Sequence, residues 1–346
     1  MRIAQVAPLF EAVPPARYGG AERVVSTLTD ELVRRGHDVV LFASGDSRTE
    51  ATLVPVTEHA LWRTISQQPN SKLARYQTLA MLSDVYRRAD EFDVIHAHTD
   101  VYTLPFAGLT DRPTVLTLHG RLDLPDLGWL FTRLNGASLV SISEAQRAPL
   151  AGLPLNWAGC VPNGVPIDTL AFRPEPGSYL AFLGRLAREK RPDLAIAVAR
   201  ATGLPLKIAG VVHSVDREYW HDEVEPMMAG ADVEFIGEVD DRQKAELLGG
   251  ALATLFPSDW LEPFGLVLAE SLACGTPVVA LDRGAVREIV RDGVDGYICA
   301  DEAAMVEAVH NIGRIDRAAC RERALYFSGE RLAEDYEKLY ITLSSR

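Results

Sequence analysis

Short apolar runs alternate with helix-spaced segments along this chain, and the alternation halts once, at a cluster of Pro and Gly, before starting again. That pattern is hard to reconcile with anything except parallel sheets crossed by helices. Ile3 to Pro8 is apolar, Tyr18-Gly19-Gly20 is a breaker, and Glu22 to Arg35 sets Val24, Val25, Leu28, Leu32 and Val33 at helical spacing before Gly36. Val39-Val40-Leu41-Phe42 follows, so residues 3–43 read as one βαβ unit with a right-handed crossover. Further strand-like runs stand at Val94-Ile95, Thr114 to Leu118 and Leu139 to Ile142.

The halt comes at Pro162-Asn163-Gly164-Val165-Pro166 and Arg173-Pro174-Glu175-Pro176-Gly177. Beyond it, Tyr179 to Leu183, Leu206 to Ala209, Val233 to Ile236, Ala253 to Phe256 and Val278 to Leu281 read as strands. Pro192 to Thr202, Arg242 to Leu248, Gly265 to Ala273 and Val286 to Val290 read as helices. A chain of 346 residues exceeds what one core usually serves. The expected fold class is therefore α/β, two doubly wound domains with boundaries at 1–168 and 169–328, and a last amphipathic segment within 329–346 whose docking partner the sequence leaves open. Ligands of such sheets lie outside the carboxyl ends of the strands, so function is sought in those loops, and two facing domains would share a cleft.

Composition narrows the partners. A net charge of −13, most of it in the second half, argues against a nucleic-acid partner and offers no basic face to anionic lipid. No apolar run approaches a membrane span, so no integral membrane association is expected. Met1 to Pro8 lacks the apolar stretch of a secretory signal, and Cys160, Cys274, Cys299 and Cys320 show neither metal-ligand nor redox spacing, so the expected location is cytoplasmic.

Three groups of residues could carry chemistry. Glu262-Pro263-Phe264-Gly265-Leu266 leads into a helix containing Glu270. Pro263 suits its first turn, and Gly265 lets a ligand reach the exposed amides. Eight residues of helix span about 12 Å. That exceeds the about 5–9.5 Å of a glycosidase acid/base pair, so the two carboxylates suit hydroxyls at two places on one ligand. Either acid alone would be an ordinary solvent-facing helix residue. Arg185 and Lys190 follow the strand Tyr179 to Leu183, a bidentate fork and a mobile point charge such as a departing diphosphate needs when no metal is present; the bland alternative is a solvated basic loop. His96 and His98 share a strand face and His119 ends the next apolar run, but no Cys completes a metal set and no Asp-x-Asp occurs, so no metal site is expected. The absence of Gly-x-Gly-x-x-Gly after the first strand disfavours a nicotinamide enzyme.

Taken together, Tyr18-Gly19-Gly20-Ala21-Glu22, the His96 to Asp100 stretch, Leu118-His119-Gly120, Pro162-Asn163-Gly164-Val165, Gly184-Arg185 with Lys190, and Glu262 through Glu270 resemble the retaining glycosyltransferases of family 4 over nearly the whole chain. The resemblance implies the GT-B fold, two Rossmann-like domains facing an interdomain cleft, with acceptor on the first, nucleotide sugar on the second, and the last helix packed back on the first. It implies that Arg185 and Lys190 bind the donor diphosphate and Glu270 the ribose. Glu262 and the amides of Phe264, Gly265 and Leu266 would hold the transferred sugar, with Gly19 and Gly20 near its phosphate. His119, Arg185, Lys190 and Glu262 would form the catalytic set, and Tyr18, His98 and Asp100 the acceptor contacts. The implied reaction is retaining and needs no metal or other cofactor. UDP-glucose is the expected donor, and the acceptor a small soluble molecule such as a natural product or pterin. The alternatives are a non-catalytic nucleotide-sugar-binding protein and a GT-B epimerase or phosphorylase.

Overall fold

The computed structural model describes residues 1–67 and 72–345. They form two compact units: Met1–Gly164 together with Gly329–Arg346, and Val165–Ser328.

The first unit carries a seven-stranded sheet: β1 (Arg2–Val6), β2 (Asp38–Ser44), β3 (Thr52–Thr57), β4 (Val94–Ala97), β5 (Thr114–Thr117), β6 (Ser138–Ser141) and β7 (Trp157–Cys160). Its order is β3-β2-β1-β4-β5-β6-β7, every pairing parallel. Helix α1 (Gly20–Arg34) makes the first crossover and buries Val24, Val25, Leu28 and Leu32. Each such side chain contributes roughly 1.5–3 kcal/mol on burial. The inner strands β1, β2, β4, β5 and β6 are buried on both faces, which is why they read as short, nearly unbroken apolar runs.

The second unit repeats the plan with β8 (Leu180–Leu183), β9 (Leu206–Ala209), β10 (Val233–Gly237), β11 (Ala253–Phe256), β12 (Val278–Leu281) and β13 (Gly296–Cys299). The order is β10-β9-β8-β11-β12-β13, again all parallel. Local sequence explains its helices. Pro192 opens α2 (Pro192–Thr202) and Gly203, left-handed, closes it. Asp240 and Gln243 form a reciprocal cap on α3 (Asp241–Gly249). Helix α4 spans Leu266–Ala273, so Pro263 lies in the turn before it and not in its first turn. The helical spacing drawn between Glu262 and Glu270 therefore does not apply, because Glu262 stands on irregular chain.

The last helix, α5 (Gly329–Ser344), belongs to the first unit, where it lies against α1. Glu337 of α5 holds both Arg35 and, at 3.0 Å, His37. Each sheet reverses its strand order once, at β1/β4 and at β8/β11, the places where ligands of doubly wound sheets sit.

Candidate functional site

In the second unit the two loops at the β8/β11 reversal are joined: the Asp259 N–H donates to the Glu189 carbonyl at 2.9 Å. This brings Lys190, after β8, onto Glu262, after β11, in an ion pair. The Lys190 ammonium also lies 4.7 Å from the Trp260 ring centroid and 5.8 Å from that of Phe256, and the Trp260 indole N–H donates to the same Glu262 Oε2 at 2.7 Å. A cation held by a carboxylate and two ring faces is fixed in advance of any ligand. Arg191, next in the chain, is left-handed at φ 56°, a strained conformation for a non-glycine residue that the packing of this loop must hold.

Glu262 and Glu270 are both buried, not solvent-facing. Lys244 of α3 grips Glu270 through Oε1, and Lys190 and Trp260 grip Glu262 through Oε2. Each acid thus keeps one oxygen without a protein partner among the described residues, able to accept from a ligand hydroxyl. Gly265, at φ 91°, caps α4 with no side chain on the first-turn amides. A Cβ there would sit 3.1 Å from Leu268. The Phe264 ring is buried, edge-on to Phe327 at 5.7 Å, so of Phe264 only the backbone is available to a ligand. The guanidinium of Arg185 is engaged by Glu189 and, at 3.2 Å, by Asp216, so its fork must exchange partners to meet phosphate.

In the first unit, Gly19, at φ 138°, caps α1 without a side-chain hydrogen bond. A Cβ on Gly19 would lie 2.8 Å from Pro15. Tyr18 beside it is exposed. Glu22, in the first turn, is buried and accepts from the Glu11 N–H at 3.3 Å. Burial pushes its carboxyl up to about 7 against the lowering effect of backbone hydrogen bonds and Arg23. The folded protein therefore keeps this proton to about pH 7, while the unfolded chain releases it near 4.5. Its contribution to stability is whole below the lower value and lost as pH rises to the higher one. Replacing Glu22 by Gln should remove that loss: the stability of E22Q relative to wild type should rise by roughly 2–3 kcal/mol between the two pH limits. Chemical denaturation of both proteins across that range checks it, and a constant difference would refute it.

At the β1/β4 reversal, His96, His98 and His119 come together with Gln5 of β1 and with Tyr336 and Tyr340 of α5. His98 Nδ1 lies 2.9 Å from His119 Nε2, and His98 Nε2 3.0 Å from Gln5 Oε1. Both ring nitrogens of His98 are thus engaged inside the unit, leaving none for an acceptor molecule. His96 meets the Tyr340 hydroxyl at 2.6 Å and Thr117 at 2.7 Å. Burial pushes His119 down to about 4 and His96 and His98 well below the ordinary value, so all three are neutral at physiological pH. Asp100, exposed after β4, is left-handed at φ 50°. No group of His, Cys, Asp or Glu among the described residues could hold a metal ion. Among those residues no helix is long and apolar enough to cross a membrane.

Sequence reasoning passed over Gln5, Lys244, Trp260, Tyr336 and Tyr340. For Gln5 a signal existed: a polar residue inside the run Ile3-Ala4-Gln5-Val6. For Lys244, in a polar helix, none did.

Residues 18–169 match the family model described as Glycosyltransferase Family 4, and residues 171–324 that of Glycosyl transferases group 1. A glycogen synthase of Mycobacterium tuberculosis is 30% identical, the match covering 94% of this chain and 89% of that one. AviGT4, a glycosyltransferase involved in avilamycin A biosynthesis, superposes with a TM-score of 0.77 at 26% identity, over 99% of this chain and 98% of that one. HepE of Anabaena, solved in complex with UDP and glucose, shares the fold at a TM-score of 0.75 and 18% identity, covering 99% of both chains. Matched along both units and across their doubled parallel-sheet plan, the chain belongs to the family 4 glycosyltransferases and has the GT-B architecture.

Proposed function

We propose that this enzyme is a retaining hexosyltransferase that takes its sugar from a nucleotide diphosphate donor, UDP-glucose first among them, without a metal ion. The observation that carries the reading is the arrangement at the β8/β11 reversal: a preformed ammonium at Lys190, two buried glutamates each with one open oxygen, and the uncapped start of α4. In this reading Glu270 accepts from the ribose, Glu262 and the amides of Phe264, Gly265 and Leu266 hold the transferred sugar, and Arg185 and Lys190 meet the diphosphate. As the anomeric bond breaks, charge gathers on the diphosphate and the sugar becomes oxocarbenium-like. Lys190 and Arg185 neutralise the first, and a diphosphate oxygen removes the acceptor proton on the same face. To residues of the first unit the same reading assigns the phosphate (Gly19 and Gly20), a sugar hydroxyl (neutral His119) and the acceptor (Tyr18 and Asp100).

A small soluble acceptor, such as a natural product, fits the acidic charge and the involvement of AviGT4 in avilamycin A biosynthesis. The cytoplasm, where nucleotide sugars are made, is the fitting location. The test is a thermal-shift panel of nucleotide sugars with and without magnesium, followed by transfer assays. Ligand at 100 times its Kd stabilises the folded state by about 2.7 kcal/mol. One donor should raise Tm equally with and without magnesium, and its product should keep the anomeric configuration. An inverted product, a magnesium requirement, or binding without turnover on any acceptor would each defeat the reading at a different point.

A further inference from the structure

We infer that Gln5 is a positioning residue: acting through His98, it decides which ring nitrogen of His119 carries the proton, so that His119 offers an Nδ1 lone pair to a substrate hydroxyl. The catalytic half of this inference rests on the glycosyl-transfer reading above; the proton arrangement does not.

Gln5 is fully buried, and a buried amide must find partners for its polar atoms. Its Oε1 lies 3.0 Å from His98 Nε2, and a carbonyl oxygen can only accept, so His98 carries its proton on Nε2. A neutral imidazole has a single N–H, which makes His98 Nδ1 a lone pair. The 2.9 Å contact with His119 Nε2 then requires His119 to donate, and the remaining His119 nitrogen, Nδ1, is a lone pair as well. Nδ1 has no partner among the described residues, and His119 is only partly buried. The amide's other end closes consistently. Its two protons face the Tyr340 hydroxyl and His96 Nδ1, each at 3.4 Å, and His96 as an Nδ1 acceptor donates from Nε2 to Thr117. Thr117 in turn meets the Tyr336 hydroxyl at 2.6 Å, so α5 seals the network from below.

Replacing Gln5 by Met keeps the length of the side chain and removes the acceptor. The His98 proton, left without a partner on Nε2, moves to Nδ1 and is donated to His119 Nε2, whose own proton moves to Nδ1. Each ring keeps one proton, and the lone pair offered to substrate becomes an N–H. Gln5→Glu, held neutral by full burial, keeps a carbonyl oxygen toward His98 Nε2 and an O–H toward the Tyr340 hydroxyl and His96 Nδ1, and should preserve the original arrangement.

The experiment uses the full chain labelled with ¹⁵N-histidine, with long-range ¹H–¹⁵N spectra reporting the tautomers of His98 and His119, beside sugar-transfer kinetics. Wild type and Q5E should show Nε2–H at both rings, and Q5M Nδ1–H. For Q5M, kcat should fall on the order of tenfold, the worth of one hydrogen bond made in the transition state, with donor KM little changed, and Q5E should recover most of the loss. Nδ1–H at His119 in the wild type overturns the inference even if Q5M fails to fold. A folded Q5M with altered tautomers and unchanged kcat overturns its catalytic half. Wild-type protein that transfers no sugar defeats the glycosyl-transfer reading instead, and with it the catalytic half, leaving the spectra to judge the proton arrangement.

Discussion

Replacing Lys190 by Ala should lower sugar-transfer turnover by about 10²–10³-fold, the usual consequence of removing one preorganised charge from a transition state. The expectation follows from how the ammonium is held. Glu262, Trp260 and Phe256 fix it before donor arrives, so it need not reorganise as the diphosphate leaves. The fold should suffer much less. Breaking a fully buried ion pair costs about 3–5 kcal/mol, but here Glu262 keeps the indole N–H of Trp260 at 2.7 Å and the Lys190 side chain is still 18% exposed, so the penalty should fall below that range. Steady-state kinetics and a melting curve on the same preparation decide it. A K190A protein within threefold of wild-type kcat would remove Lys190 from the reaction, and one that melts far below wild type would make it a structural residue.

Much of this architecture is legible in the sequence because buried parallel strands must be apolar along their whole length. The helix at Pro192 to Thr202 carries both of its boundary signals, and β1, α1 and β2 show the change of period from strand to helix and back. What escapes is three of the four edge strands, β3, β7 and β13. β3 contains Pro55 and is only half buried, β7 holds Trp157 and Gly159 with no fully buried residue, and neither presents the continuous apolar run of an inner strand. β13, Gly296–Cys299, at the edge of its sheet, opens on a glycine and leaves Tyr297 and Ile298 only partly buried. The site divides in the same way. Motif residues at the ends of inner strands, Lys190 and His98 among them, could be placed by the rule that such ends bear ligands. Their partners could not, because Gln5 meets Tyr340 across 335 residues and Lys190 meets Glu262 across 72. Nothing local encodes such a pairing. The burial of Glu262 and Glu270 is hidden for the same reason: an acid taken alone reads as solvent-facing until the cation that accompanies it is known.

The Lys244–Glu270 pair should show the largest stability effect in the second unit. Lys244 is 7% exposed and Glu270 4%, and Asp241, at 3.1 Å from the ammonium, adds a second carboxylate at the more open end. Substituting Met for Lys244 leaves the Glu270 carboxylate buried without its counter-charge, at a cost of about 3–5 kcal/mol. For a domain of this size each kcal/mol lowers Tm by about 2–4 °C, so K244M should melt roughly 6–20 °C below wild type. Removing both charges should reverse most of this, because an apolar pair of similar volume is often as stable as the ion pair it replaces. The double variant K244M/E270L then separates two roles that the single variants confound. It should melt near wild type and yet gain markedly less stability from a nucleotide sugar, since the open oxygen of Glu270 proposed to accept from the ribose is gone. Wild-type melting in K244M would mean that the pair does not close in solution. A double variant still stabilised by donor to the wild-type extent would free Glu270 from any part in holding the ribose, and leave it as nothing more than the counter-charge of a buried lysine.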